Sequence, residues 1–353
     1  MDVSAFCASS PVYIRAAGGV AAAASGTVGT IGFADAPLRT DAKPVALRAL
    51  VAQVAPQVSR MASRFSQLAV LGAADCLRRL EGAQASELDA HARIYLATGL
   101  GDVAHTDALY YGVMPPRSEM PPPARFATSG NNMAAFFVAR YAGLTSRNLT
   151  LSQAELSLEC ALELALSDFA AGATCSALLG GVDETTLPRE FYTRRFHVGA
   201  DQVIGEGSGW LLLDAEPEHG VVRALGAILG ASVVPAPATP DPNSLIEQVR
   251  RASQVFGVDA LRTSRLVVMP GTGIAADQLM ALQRELGATG PAWKCHDYLG
   301  WSGRFPTAAA VGIAAMFGPI VEHRTEGLTC LHVNRDPSGR TGLIAFEVYP
   351  SSH

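Results

Sequence analysis

Apolar and polar positions along this chain fall into blocks, and the period of the blocks changes. Val12 to Val20, interrupted by Arg15, predicts a first strand that runs into a glycine turn. After Pro56 the pattern becomes helical: Met61, Phe65, Leu68, Ala69 and Gly72 share one face. Apolar runs at 93–99, 177–182 and 210–213 read as buried strands, each flanked by glycine or acidic residues. Asn131 to Tyr141 reads as a helix, Thr150-Leu151 as a brief strand, and Ser152 to Ala171 as a long helix. Met114 to Pro123 holds five prolines and predicts an exposed loop. Pro235 to Pro242 holds four more, marking a joint or a surface loop. Helices are expected at 244–256, 275–286 and 306–317, with strands at 265–269, 328–333 and 343–349. Strands alternating with helices predict an α/β fold with parallel or mixed sheets.

Composition narrows the function. A chain of 353 residues, 49% hydrophobic, is long enough for a large core. The net charge of -5, with no basic block, argues against a nucleic-acid partner. No leader pattern and no uninterrupted apolar stretch of about 20 residues is present, so a cytoplasmic protein without a membrane span is expected. Cysteines at 7, 76, 160, 175, 295 and 330 form no CxxC, so neither a disulfide framework nor a metal site is predicted. Cys160 and Cys175 are expected to be inert core residues. No motif calls for an organic cofactor.

Several separated segments resemble one family, the β-ketoacyl synthases of the thiolase superfamily. Arg60 to Ala69 is similar to its "RMDRFSQLA" helix, Leu178 to Asp183 to its "aGGvd" strand, and Ile204 to Leu213 to its "lgEGagvlvL" run. Gly271-Thr272-Gly273 falls where that family has "HGTGT", and Gly303 to Ala308 where it has "GAAG". The matches keep their order from about residue 12 to 349. The resemblance implies a duplicated, five-layered αβαβα fold with mixed sheets, its halves spanning 1–215 and 216–353.

That family joins acyl chains with one cysteine, which carries the acyl group as a thioester, and two histidines. At the corresponding positions this chain has Glu155, Pro270 and, with Gly303 anchored on the family glycine, Gly300. Asn334 to Arg340 replaces the family's gating loop. No catalytic residues are therefore expected. The pattern is similar to that of the chain length factor, the inactive partner of a ketosynthase in type II polyketide and aryl-polyene systems, although a glutamate at the cysteine position is a departure. The expected function is a silent subunit that forms a heterodimer with an active ketosynthase, shapes its acyl channel during polyketide, polyene or fatty-acid-type elongation, and meets an acyl carrier protein through the complex. The rival is a malonyl-carrier-protein decarboxylase or other acyl-thioester enzyme using Glu155 and His296. A third reading is a homodimeric binder of acyl chains.

Position in the family pattern nominates further residues. Phe65, Met133, Phe136 and Phe137 are candidates for the channel or interface. Glu206 and Lys294 are expected to pair as a buried scaffold. Ser152-Gln153-Ala154-Glu155 reads as a capping box, with Ser152 capping the Glu155 amide.

Overall fold

The computed structural model describes residues 6–23, 39–40, 43–44, 47–80, 88–117, 120–219, 222–237, 244–257, 266–289, 294–318 and 326–350. Most of the proline-rich segment 235–242 lies outside them. The first half carries β1 (Phe6–Ala23), the ribbon β2 (Arg39–Thr40) and β3 (Lys43–Pro44), α1 (Leu47–Val54), α2 (Pro56–Ser59) and α3 (Arg64–Arg78). There follow β4 (Arg93–Ala97), α4 (Val103–Val113), α5 (Pro123–Ala127), α6 (Met133–Ala142) and β5 (Asn148–Leu151). Then come α7 (Ser157–Ala170), β6 (Ser176–Asp183), α8 (Arg189–Phe196) and β7 (Gly205–Asp214). A second ribbon, β8 (Glu218–His219) with β9 (Val222–Arg223), leads into β10 (Gly226–Val234), α9 (Ser244–Val255), β11 (Leu266–Pro270) and α10 (Ala276–Thr289). The rest is β12 (Lys294–Cys295), α11 (Leu299–Ser302), α12 (Ala308–Ala315), β13 (Leu328–Arg335) and β14 (Thr341–Val348).

Ten strands pair in the order β12-β11-β13-β14-β10-β1-β7-β6-β4-β5. Read outward from the centre, both arms have one pattern. The two inner pairs, β1–β7–β6 and β10–β14–β13, are antiparallel, and the outer pairs are parallel. The long β1 joins the arms by pairing antiparallel with β10.

Strand alternation sorts the side chains into layers. On β7, Leu211 and Leu213 face a central core, while Trp210 and Leu212 face an outer one built on α1, α3 and α6. On β14, Ile344 and Phe346 join the central core, while Leu343 and Ala345 meet α9 and α10. The central layer is α7 and α12. α12 is apolar all round, and Ala308 to Ala314 are all buried, as a helix covered on every side requires. It lies so close to β7 that a Cβ on Gly209 would overlap the Ala310 backbone, which explains a glycine there. The five layers are α, β, α, β, α.

Three local expectations change. The helix after Pro56 is broken: α2 stops at Ser59, and α3 starts anew behind Ser63, whose hydroxyl accepts from the Ser66 amide at 3.3 Å. Met61 sits in the break and is exposed. Cys175 is exposed and Cys160 half-buried, because the first lies in the turn before β6 and the second on the less covered face of α7.

Candidate functional site

β5 leaves the sheet through a tight turn before α7. Ala154 takes a left-handed backbone (φ 50°), and residues 154–156 make one short 3-10 turn. The expected capping box does not form, because this turn carries Ser152 out to solvent, away from the Glu155 amide. Ser157 ties the turn instead: its hydroxyl accepts from the Gln153 amide at 2.8 Å and lies 2.9 and 2.7 Å from the Thr98 and Ala154 carbonyls.

The turn places Glu155 against a chamber of about 620 Å³. Glu155 is 3% exposed, and its Oε2 has no hydrogen-bond partner. Burial raises its pKa, opposed by its own backbone amide and by the charge of Arg195. Its carbonyl accepts from Asn334 Nδ2 at 2.8 Å. Asn334 Oδ1 in turn accepts from the Gly273 amide at 3.2 Å and the Arg335 amide at 2.9 Å. One asparagine therefore ties the α7 turn to the ends of β11 and β13.

Pro270, Gly271, Thr272 and Gly273, at the end of β11, form the opposite wall. The third element differs from the sequence expectation. Gly300 is an exposed residue of α11 that does not line the chamber. Gly303 adopts φ +75°, a conformation that favours glycine, and the backbone there swings Arg304 into the chamber. Arg304 Nη1 donates to the Thr272 carbonyl at 2.8 Å. Burial lowers the Arg304 pKa, and Asp297 acts against that. His296 is half-buried, does not line the chamber, and donates its amide to Val268. The histidine that does line it is His197, in a left-handed conformation just after α8. Nothing in the local sequence marks His197 or Arg304, because the fold brings them to Glu155 from distant segments.

Cys295 also lines the chamber, but burial and the neighbouring Asp297 raise its pKa, the reverse of what a nucleophilic thiolate needs. Arg335, Asp336 and Pro337 form the rim in place of the gating loop. Asp336 braces this hairpin by accepting from Ser338 Oγ at 2.7 Å and Arg340 Nε at 2.7 Å. Behind Glu155, between Tyr192, Phe196, Val198, Phe305 and Pro306, only about 10 Å³ is free. That is about one water-sized probe, too little for an acyl chain.

Asp183, at the end of β6, does not line the chamber but fastens the framework around it. It is fully buried and accepts from Thr98 Oγ1 at 2.9 Å, from the Gly99 and Leu100 amides at 3.0 Å, and from the Thr307 amide and hydroxyl at 3.0 and 2.8 Å. It thus ties the end of β4 to the start of α12. One turn into α7, Glu159 lies 3.5 Å from His332 Nδ1, and Tyr298 Oη is 3.1 Å from His332 Nε2. All three are fully buried. Burial raises Glu159 to about 7 and lowers His332 to about 3, which favours a neutral acid beside a neutral imidazole over an ion pair.

The expected Glu206–Lys294 pair is absent. Glu206 is bound by Arg64 through Nη2 at 2.6 Å and Nε at 3.2 Å, and by the Thr185 amide at 3.2 Å. Lys294 is exposed at the start of the edge strand β12, in the other arm of the sheet from β7. Of the channel candidates, Phe65 and Phe137 are buried in the outer core, Met133 is half-buried and Phe136 is exposed. None of the four lines the chamber.

No family model matches the chain, and no curated protein does. Solved structures do. The ishigamide ketosynthase/chain length factor aligns with a TM-score of 0.70 and 19% identity, covering 96% of this chain and 99% of that one. A β-ketoacyl synthase from Burkholderia phymatum gives 0.71 and 14%, with the same coverage. A type II polyketide acyl carrier protein in complex with its ketosynthase bound to the hexaketide gives 0.65 and 13%, again with 96% and 99% covered. Likeness at these identities speaks for the fold. The chain has the fold of these ketosynthase structures.

Proposed function

We propose that this chain is a catalytically silent ketosynthase-like subunit, a chain length factor, that pairs with an active ketosynthase and bounds its acyl channel. The observation that carries the reading is what the chamber walls present: Glu155, Pro270 and Arg304. A carboxyl group with a raised pKa is a weak nucleophile, a proline side chain donates no proton, and a guanidinium does not release one. The narrow space behind Glu155 agrees, since about 10 Å³ there is too little to take an acyl chain past the glutamate.

A run of exposed apolar side chains supports the same reading. Tyr110, Tyr111, Val113, Met114, Met120, Phe126 and Phe136 are all exposed within one stretch of chain. Phe136, backed by the ring of Phe137 at 5.6 Å, and the neighbouring Met133 are the candidate steric stops. The carrier protein would then be met through the complex.

The test is co-expression with a ketosynthase that has its cysteine and histidines, read by native mass spectrometry and by condensation assays. We expect a one-to-one complex, no condensation or malonyl decarboxylation by this chain alone, and no condensation gained in Glu155→Cys. The rival reading, a malonyl-carrier-protein decarboxylase, draws on His197 lining the chamber beside Glu155. Acetyl product released by the lone chain, and lost in both Glu155→Gln and His197→Ala, would establish that rival.

A further inference from the structure

A second cavity, of about 670 Å³, opens between α1, α3, α4 and α5, and no part of the proposed function uses it. Two acids lie in its wall. Asp102 is 1% exposed and Glu184 2%. No donor meets either Asp102 carboxylate oxygen in good hydrogen-bond geometry; burial raises its pKa, although the Ser63 hydroxyl and the His105 amide lie close enough to lower it in part. Glu184 Oε2 also lacks a partner, and Glu184 Oε1 receives only the Ala104 amide, at a long 3.4 Å. Asp102 occupies the N-cap position of α4 yet makes no capping bond. Arg64, which also lines this cavity, is already gripped by both oxygens of Glu206. Buried carboxylate oxygens without donors are costly, about 1–3 kcal/mol each or more when charged. Three of them in the wall of one open cavity mark the place of a donor that the described residues do not supply.

The rest of the lining narrows the donor. Among the described residues, no three His, Cys, Asp or Glu side chains gather to hold a metal ion. Leu47, Met61, Ala108 and Leu109 give the cavity apolar walls suited to a hydrocarbon body. Arg48, Arg60 and Arg125 also line it and would repel a second positive charge. We propose that the Asp102–Glu184 cavity binds an organic monocation: a protonated primary amine or guanidinium on an apolar body, with a neutral or anionic far end. The site itself is independent of the reading of the Glu155 chamber, while a source in the partner subunit rests on it. The cation belongs either to a free small molecule or to a basic side chain of the partner subunit.

Titration calorimetry on the full chain tests the site with hexylammonium, ε-aminocaproate, hexyltrimethylammonium and spermidine. Saturable binding of hexylammonium or ε-aminocaproate is expected at concentrations up to about 10 mM. The quaternary ammonium has no N–H to offer the bare oxygens, and should bind at least tenfold more weakly, as should spermidine. Asp102→Asn and Glu184→Gln should each weaken binding at least tenfold, with folding checked by circular dichroism. Absence of saturable binding to the wild-type chain overturns the proposal, as does equal affinity for the quaternary ammonium. That comparison needs no variant, so it stands even if a substitution fails to fold. Repeating the titration on the complex with a ketosynthase assigns the source: binding that persists points to a free ligand, and binding that is lost points to a partner side chain.

Discussion

The outer helices of the two halves meet their surroundings in opposite ways. α9 turns Leu245, Val249 and Ala252 inward and carries Glu247, Arg250 and Arg251 outward. These charges pair with each other, and Arg250 reaches Glu285 on α10, so this face is complete in water. α4, in the first half, is mostly apolar, yet none of its residues is buried; Tyr111 is 65% exposed. An amphipathic helix with its apolar stripe inside needs nothing more, whereas an apolar helix left uncovered is matched to a surface outside the chain. One outer helix is finished by its own charge pairs, and the other leaves an apolar surface that the proposed partner would cover.

The comparison breaks most directly at α4. The double variant Tyr110→Asp/Tyr111→Asp should weaken the ketosynthase complex at least about 100-fold, read by analytical ultracentrifugation, because aromatic anchors dominate interfaces. An unchanged complex would place the interface elsewhere. A smaller effect comes from Glu184, buried beside the start of α4. An ordinary glutamate titrates near 4.5, whereas with no cation bound, burial and the charge of Asp102 raise Glu184 to about 8, and a cation in the cavity would displace that proton. Between those values the folded state keeps a proton that the unfolded state releases, so this group's contribution makes stability fall as pH rises, by at most about 1.4 kcal/mol per pH unit. Urea denaturation across that range should show a shallower slope in Glu184→Gln than in wild type. On the finished face Arg250→Ala should cost less than about 1 kcal/mol and leave partner binding unchanged, since exposed ion pairs contribute little. A large loss of binding there would erase the contrast between the two faces.

Much of the site could be read along the chain, though not its walls. The resemblance to the ketosynthase family singled out Glu155, and the structure puts it in the chamber with Pro270. The second histidine position did not follow. The expected residue, Gly300, faces solvent, and Arg304 fills the wall, because a glycine with positive φ at 303 redirects the backbone. The Glu206–Lys294 pair failed for a related reason. Opposite charges in one sequence say nothing about which is nearer in space, and Arg64 at the head of α3 is the nearer cation.

Local periodicity was enough to tell strands from helices and to place β7 and α12 along the chain. Those properties depend on neighbours one to four residues apart. The partners of Glu155 come from segments on either side of it that are far away along the chain: His197 after α8, Arg304 after α11 and Asn334 on β13. Such meetings are set by how two repeated arms pack across a shared helical layer. That packing sums many small contacts, and no single stretch of residues encodes it.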